Sequence, residues 1–380
     1  MTENNNTLIE SQYWSVRIAD SVMQRRFILG KKWTYEWGVV LRGLQEVWQR
    51  SGYEVYFDYI KSNIDHFVLS DGSIKTYRLE DYNLDMINTG KLLFPLYQVT
   101  GQKRYKTAIQ TLVQQLKQQP RTTEGGFWHK KIYPQQMWLD GIYMACPFYA
   151  QYGSIFNEPL IFDDVAHQIK LITERTCDPV TGLLYHGWDS SLNQRWAHNE
   201  TGRSPHFWGR AIGWFVMAIL DVLDYIPPDH AAHDELVRIY RNAIIAVLKV
   251  QDSHNWLWYQ ILDRGNEAGN YLEASASAMF TYAIAKGVRK GYLDDTLLPY
   301  AERAFEGIIE LFIEDDGQGL VNVSRICSVA GLGGEPYRDG SFEYYVSEPI
   351  VTNDDKGVGA FILAAAELEA VSDKAFYDEQ

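Results

Sequence analysis

The sequence predicts an all-α protein, an (α/α)6 barrel or six-hairpin toroid, with an inner ring of six helices surrounded by six outer helices. Three observations lead there. Apolar residues recur mostly at helical spacing, and strand-like alternation is scarce. Helical segments alternate between two kinds, one apolar on most sides and rich in small residues, the other amphipathic. No low-complexity linker or shift in composition divides the 380 residues, so 1–380 reads as a single barrel domain, with 1–8 a flexible N-terminal tail.

In chain order the periodicity predicts helices near 9–26, 36–51, 53–67, 82–98, 102–118, 139–153, 159–176, 206–226, 229–252, 272–288, 294–314 and 354–370. The first inner member is carried by Gly38-Val39-Val40-Leu41-Arg42-Gly43-Leu44 and the second by Asn88-Thr89-Gly90-Lys91-Leu92-Leu93-Phe94. The third opens at Asp140, and the fourth contains Gly209-Arg210-Ala211-Ile212-Gly213-Trp214. Ala274-Ser275-Ala276-Ser277-Ala278 and Gly357-Val358-Gly359-Ala360-Phe361 supply the last two. Glycine and serine lower helix propensity, but they let backbones approach closely around a crowded axis. Between these members, 102–118 and 236–251 carry charge on one face, as outer helices should. The inner segments recur too irregularly for a solenoid array. Two long aromatic-rich connections, about 119–138 and 177–205, join the repeats; their Trp, Tyr and His content points to function rather than disorder.

Composition excludes several roles. The net charge of -14, with acids spread along the chain, argues against nucleic acid, which is bound through basic patches. It leaves room for a small anionic substrate, which needs only a local group of cations. Cys146, Cys177 and Cys327 are far apart and form no CxxC pair, so neither a disulfide framework nor a thiolate zinc site is expected. His230 and His233 lack an acidic third ligand and read as solvated helix surface. No GxGxxG after a strand, phosphate loop or GxSxG elbow occurs, and no cofactor or metal is expected. The polar start, Met1-Thr2-Glu3-Asn4-Asn5-Asn6, lacks the regions of a signal peptide, and no apolar run is of membrane-spanning length. The expectation is a cytoplasmic protein, without a membrane partner, that works as a monomer or weak homodimer.

Asp140 stands in Met137-Trp138-Leu139-Asp140-Gly141-Ile142-Tyr143-Met144-Ala145-Cys146-Pro147, a lone acid among aromatic and sulfur-containing side chains. Two readings are open. The acid caps an apolar helix, or its apolar surroundings hold its proton near neutral pH and suit it to act as a general acid. Inner helices of such a barrel run parallel, so their N-termini gather at one mouth. Those ends bring Trp33, Tyr35 and Glu36; Asp85 and Asn88; Trp138 and Asp140; His206, Trp208 and Arg210; Glu273 and Ser275; and Asn353, Asp354 and Asp355. The connections add His129, Lys130 and His186. Indoles that stack on sugar rings, and acids and imidazoles that bind hydroxyls, describe a carbohydrate site. Each residue also has a plainer role available. Asp85, Asn353 and Asp354 suit N-caps, Glu36 suits a structural pairing, and Arg210 suits either a cation stacked on Trp208 or a fork for a substrate carboxylate.

Together these motifs resemble the unsaturated rhamnogalacturonyl hydrolases, glycoside hydrolase family 105, from about Trp33 to Glu367. The residues that carry the resemblance are Trp33-Thr34-Tyr35-Glu36-Trp37-Gly38, Asp85 with Asn88-Thr89-Gly90, Phe127-Trp128-His129-Lys130 and Gln136-Met137-Trp138-Leu139-Asp140-Gly141. They continue in Tyr185-His186-Gly187-Trp188-Asp189, Phe207-Trp208-Gly209-Arg210-Ala211-Ile212-Gly213-Trp214, Glu273-Ala274-Ser275, Ala330-Gly331-Leu332-Gly333-Gly334 and Asn353-Asp354-Asp355-Lys356-Gly357. The resemblance implies a cofactor-free barrel that removes 4,5-unsaturated galacturonic acid from the non-reducing end of fragments left by pectin lyases. It implies Asp140 as catalytic acid, Asp85 as a second acid, and Tyr35, His129, His186, Arg210 and Trp214 around the sugar. Beside them Trp138 is expected to bind the substrate, and Lys130 to help Arg210 hold the uronate carboxylate. A sister family, the unsaturated glucuronyl hydrolases of glycosaminoglycan fragments, shares the chemistry. Sugar 2-epimerases share the barrel but use paired histidines, for which His129 and His186 are candidates.

Overall fold

A computed structural model of the chain describes residues 13–378; the tail expected over 1–8 lies outside them. The described residues form α1 (Trp14–Arg25), α2 (Tyr35–Ser51), α3 (Glu54–Phe67), α4 (Leu93–Thr100), α5 (Lys103–Gln118), α6 (Leu139–Ile155) and α7 (Leu160–Thr176). There follow α8 (Gly209–Leu223), α9 (His233–Leu248), α10 (Ala274–Arg289), α11 (Leu298–Phe312), α12 (Phe342–Ser347) and α13 (Asp355–Asp378). Contacts close a ring in the order α2, α4 with the turns before it, α6, α8, α10, α13 and back to α2. Outer helices α3, α5, α7, α9 and α11 each pack on the inner helix that precedes them, and α1 packs on α13 and α2. This is the (α/α)6 barrel.

Why each ring forms is visible in the burial. Every residue of α8 is buried, as is α10 from Ala274 to Val288, so a helix apolar all round can be satisfied only by neighbours on all sides. Outer helix α5 buries Tyr105, Ala108, Ile109, Leu112, Val113 and Leu116 at helical spacing and turns its lysines outward. Small residues set the spacing of the ring. A Cβ on Gly359 would lie 2.6 Å from the carbonyl carbon of Val39, so α2 and α13 touch backbone to backbone there.

One expected helix is not a single piece. In place of 82–98 the chain makes three 3-10 turns, Leu79–Asp81, Leu84–Met86 and Asn88–Leu92, before α4. Local polar groups compete with the helix. The Leu84 N–H donates to the His129 carbonyl, Asn88 Nδ2 to the Tyr143 carbonyl and the Thr89 hydroxyl to the Thr34 carbonyl. Pro95 lacks an N–H and sits in the first turn of α4, where no intrahelical partner is lost. Helix α12 and short strands also escape the periodicity. The strands β1 (Gln136–Trp138) and β2 (Gly187–Asp189) pair antiparallel, Trp138 opposite Gly187, and stitch the two long connections together. Strands β3 (Ile313–Asp315) with β4 (Val321–Val323), and β5 (Ile326–Cys327) with β6 (Ile350–Val351), make two further ladders.

The barrel end away from the inner N-termini is plugged by charge. Lys286 Nζ lies 2.7 Å from both Asp221 and Asp224, the Tyr282 hydroxyl donates to Asp221 at 2.7 Å, and Arg42 pairs with Glu46. Lys91 reaches into this plug beside a cavity of about 20 Å³. Its ammonium lies 3.8 Å from the centre of the Tyr143 ring and has no hydrogen-bond partner among the described residues. Burial pulls the Lys91 pKa down to about 7 against the attraction of Asp221. Among the described residues no helix is long and apolar enough to cross a membrane.

Candidate active site

Asp140 is the second residue of α6, and the capping position belongs to Trp138, whose side chain caps nothing. The carboxyl therefore sits inside the first turn, where free backbone N–H groups favour negative charge. Its main neighbour is the residue just before β2. Pairing of Trp138 with Gly187, extended by a 3.0 Å bond from the Leu139 N–H to the His186 carbonyl, sets His186 beside Asp140. Nε2 of His186 lies 3.1 Å from Oδ2 of Asp140. The contact is close but out of line, and neither atom has a hydrogen-bond partner among the described residues. The other ring nitrogen, Nδ1, is 2.7 Å from the Tyr345 hydroxyl on α12, which fixes the ring's orientation. His186 is wholly buried, and the Asp140 side chain keeps 14% exposure toward the mouth.

The sequence reading that apolar surroundings keep Asp140 protonated is corrected here. Burial pushes its pKa up, but the charge of His186 and then His129 pulls it down, and the balance lies below the ordinary carboxylate value. In the free protein the Asp140 carboxyl is therefore ionised at neutral pH.

Asp85 lies in the Leu84–Met86 turn, and Asn83 does the capping, accepting from the Asp85 N–H at 3.0 Å. Freed of that role, the Asp85 carboxyl meets Lys130 Nζ at 2.5 Å and His129 Nε2 at 3.4 Å. Lys130, expected to help Arg210 hold a substrate carboxylate, is instead engaged by Asp85. Burial lowers the Lys130 pKa and Asp85 more than restores it, leaving it above its ordinary value. His129 is buried and stacks on Trp138 with ring centres 4.5 Å apart. Burial drags its pKa to about 4, Asp85 resisting and Lys130 assisting, so the ring is neutral at physiological pH. Gly141 makes room for it, since a Cβ there would stand 2.9 Å from His129 Nδ1.

Arg210 is nearly wholly buried, 4.8 Å from the Trp208 ring centre. Its Nη1 donates to the Cys327 carbonyl at 2.5 Å and to the Ser275 hydroxyl at 3.3 Å. That hydroxyl in turn rests on Glu273, which caps α10. Both open readings of Arg210 thus keep support: Nη1 is structural, while Nε carries no bond among the described residues. Trp214 stacks on Tyr143 at 4.6 Å and meets Tyr35 edge-on at 6.3 Å. The Tyr35 phenol is pushed well up by burial and then by Glu36, Asp85 and Asp140, against Arg210, which places it among the charged groups of the mouth. Glu36 pairs locally with the Thr34 hydroxyl. Asp354 caps α13 by accepting from the Lys356 N–H, while Asn353 bonds to Val323.

The structure therefore gathers all nine candidates, Tyr35, Asp85, His129, Lys130, Trp138, Asp140, His186, Arg210 and Trp214, at one mouth. Sequence reasoning missed Tyr345, because α12 is too short to show a period. It also missed the rim residues Tyr133, Tyr337 and Arg338, which pack about Trp138. The chemical content is two carboxylates, Asp85 beside Lys130 and Asp140 beside His186, with the Trp138 ring against both histidines.

Comparison with known proteins accords with this geometry. The sequence profile of Glycosyl Hydrolase Family 88 matches residues 11–372. A glycoside hydrolase from family 105 of C. acetobutylicum superposes with a TM-score of 0.93 at 47% identity, covering 94% of this chain and all of that one. The unsaturated rhamnogalacturonyl hydrolase YesR of Bacillus subtilis is 29% identical over 315 residues, 81% of this chain and 83% of its own length. The unsaturated glucuronyl hydrolase of Bacillus sp. GL1, at 12% identity and a TM-score of 0.67, shares the fold. A profile match over nearly the whole chain settles the family: this chain belongs to Glycosyl Hydrolase Family 88, and it is 47% identical to a glycoside hydrolase from family 105.

Proposed function

We propose that the protein releases 4,5-unsaturated galacturonic acid from the non-reducing end of rhamnogalacturonan fragments, by hydrating the C4=C5 vinyl ether. The small anionic oligosaccharide is its partner in this reading, and the 29% identical rhamnogalacturonyl hydrolase supports the choice of sugar. The single observation that carries the chemistry is the buried Asp140–His186 pair at 3.1 Å, aimed into an aromatic mouth.

An ordinary glycosidase needs two carboxyls across the scissile bond. A vinyl ether needs one proton delivered to carbon and one water. When the uronate carboxylate enters this mouth, like-charge repulsion raises the Asp140 pKa, and the carboxyl takes up a proton from solvent on Oδ2, the oxygen that faces His186. Asp140 gives that proton to C4, the double-bond electrons form the new C–H bond, and cationic character at C5 is shared with the ring oxygen. Ionised Asp140 then takes a proton from water while the hydroxide adds to C5. The hemiketal opens by breaking the bond between C5 and the ring oxygen, and the hemiacetal left at C1 collapses to an aldehyde and the free aglycone. One water is consumed and the proton count closes. Asp85, fixed by Lys130, accepts hydrogen bonds from sugar hydroxyls; Trp214 and Tyr35 wall the ring; and the Nε edge of Arg210 faces the uronate.

The test is the ultraviolet absorbance of a lyase-generated unsaturated rhamnogalacturonan disaccharide, which disappears as the conjugated double bond is hydrated. Turnover by the native chain, with a loss of about 10²–10⁴-fold or more in Asp140→Asn, supports the assignment. Near-native turnover by Asp140→Asn removes it.

A further inference from the structure

The rim of the mouth holds a guanidinium that the mechanism does not use. Arg338 lies on the loop between β5 and α12, half-buried, with no carboxylate within ion-pair reach among the described residues. This is notable in a chain with 49 acidic against 35 basic residues. Its Nε donates to the Gly333 carbonyl at 2.8 Å, and its Nη2 donates to the Tyr133 hydroxyl at 2.8 Å and the Leu332 carbonyl at 3.3 Å. Nη1 carries no bond among the described residues. A Cβ on Gly331 would stand 2.3 Å from it, so this backbone is built around the guanidinium. The group lies 5.9 Å from the ring centres of both Tyr133 and Trp138, and its charge is felt by Lys130 across the mouth.

We propose that Arg338 is a specificity residue that binds an anionic group on the aglycone, the part of the substrate beyond the bond that is cleaved; this rests on the reading above. Three carbonyl and hydroxyl acceptors orient the guanidinium without neutralising it, which leaves a directed, unpaired cation. It stands on the outer side of Trp138, whose ring contacts His129 and His186, so it is one aromatic ring removed from the acid that protonates C4. A group held there belongs to a later sugar, not to the unsaturated uronate. Tyr133, Tyr337 and Trp196 cluster about Trp138 beside it and offer apolar faces for that sugar. Two sources present the same chemistry. In a polymer that alternates uronate with neutral sugar, the next carboxylate follows one neutral residue; on a sulfated fragment, an ester on the neutral residue itself carries the charge.

The experiment compares kcat/KM of wild type, Arg338→Gln and Arg338→Lys on three unsaturated substrates by loss of ultraviolet absorbance. These are a disaccharide with neutral rhamnose, a tetrasaccharide with a second galacturonate, and a disaccharide with sulfated rhamnose. The expected result is a loss in Arg338→Gln about ten- to a hundredfold greater on one acid-bearing substrate than on the neutral one, mostly in KM. Arg338→Lys should recover part of it, and the salt sensitivity of KM should fall in Arg338→Gln. Which acid-bearing substrate responds identifies the source. Equal losses on all three overturn the proposal and leave Arg338 a purely structural anchor for its glycine-rich loop. A wild type that consumes none of the three overturns the functional reading as well, and that outcome is visible before any variant is made.

Discussion

Replacing His186 by glutamine separates charge from contact at the proposed acid. Glutamine keeps an N–H donor within reach of Asp140 but carries no charge, so burial is no longer opposed by its main counterweight. An opposite charge at this range is worth about 1–3 pKa units to a carboxylate, or about 1.4–4 kcal/mol. The Asp140 pKa should therefore cross from below the ordinary 3.8 to above it. The sign for stability follows. In the wild type the depressed carboxyl contributes stability above the unfolded pKa, and this is lost as pH falls through the folded one. In the variant a raised carboxyl costs stability at neutral pH, and the deficit closes as pH falls below the unfolded value.

Two assays read this. Carboxyl carbon resonances of Asp140, followed against pH, give the shift directly, and urea unfolding at pH 7 and pH 3 gives the linked stability. Turnover should drop by about 10²–10⁴-fold, because the charge and contact that tune the proposed acid are gone. An Asp140 that still titrates at or below 3.8 in His186→Gln refutes the electrostatic account. Turnover within about threefold of wild type would refute a part for His186 in the proton transfer, since proton-transfer catalysis is worth far more than that.

Other outcomes follow from groups around the same axis. His129, with a folded pKa of about 4 against an ordinary 6.5, binds a proton more readily when unfolded. Stability should fall by about 3 kcal/mol as pH drops through that window, and His129→Phe, which keeps the stack on Trp138, should flatten the loss in urea unfolding. Lys91 carries the same sign higher up, its folded pKa being about 7 against 10.5. Stability should rise with pH between those values by at most about 5 kcal/mol, and Lys91→Met should abolish the rise. Gly141→Ala would gain about 1 kcal/mol on helix propensity alone. Because the new Cβ meets His129 Nδ1 at 2.9 Å and Leu84 Cδ1 at 3.2 Å, we expect a lower melting temperature and reduced turnover with unchanged helix content by circular dichroism.

The barrel was legible because full burial leaves a mark on composition. A helix such as α8, buried along its whole length, must be apolar on every side, and that is visible without knowing its neighbours. The first residues of inner helices were legible for the same reason: Tyr35, Asp140 and Arg210 open α2, α6 and α8 once the helices are placed. What each acid faces was not legible. Asp85 leaves the expected α-helix for a 3-10 turn, and its contact with Lys130 depends on that turn being bonded to His129. The Asp140 partner depends on strands of three residues, and a slip of one position in that register would turn His186 away. Tyr345 and Arg338 come from a loop and a helix shorter than any period.

That difference decides which acid can act. Hydration of a vinyl ether requires a carboxyl that holds a proton for C4 and gives it up without a cofactor's help. Asp85 faces an ammonium whose proton it binds more tightly than usual, and a neutral imidazole whose ring is protonated only near pH 4. Neither neighbour releases a proton readily at neutral pH, so in the proposed reaction Asp85 accepts hydrogen bonds. Asp140 instead faces the His186 ring through Oδ2, which carries no hydrogen bond among the described residues. The two carboxylates resemble each other in sequence setting and in exposure, 13% and 14%. In the proposed reaction their partners alone separate donor from acceptor, which would make His186 as much a determinant of it as Asp140.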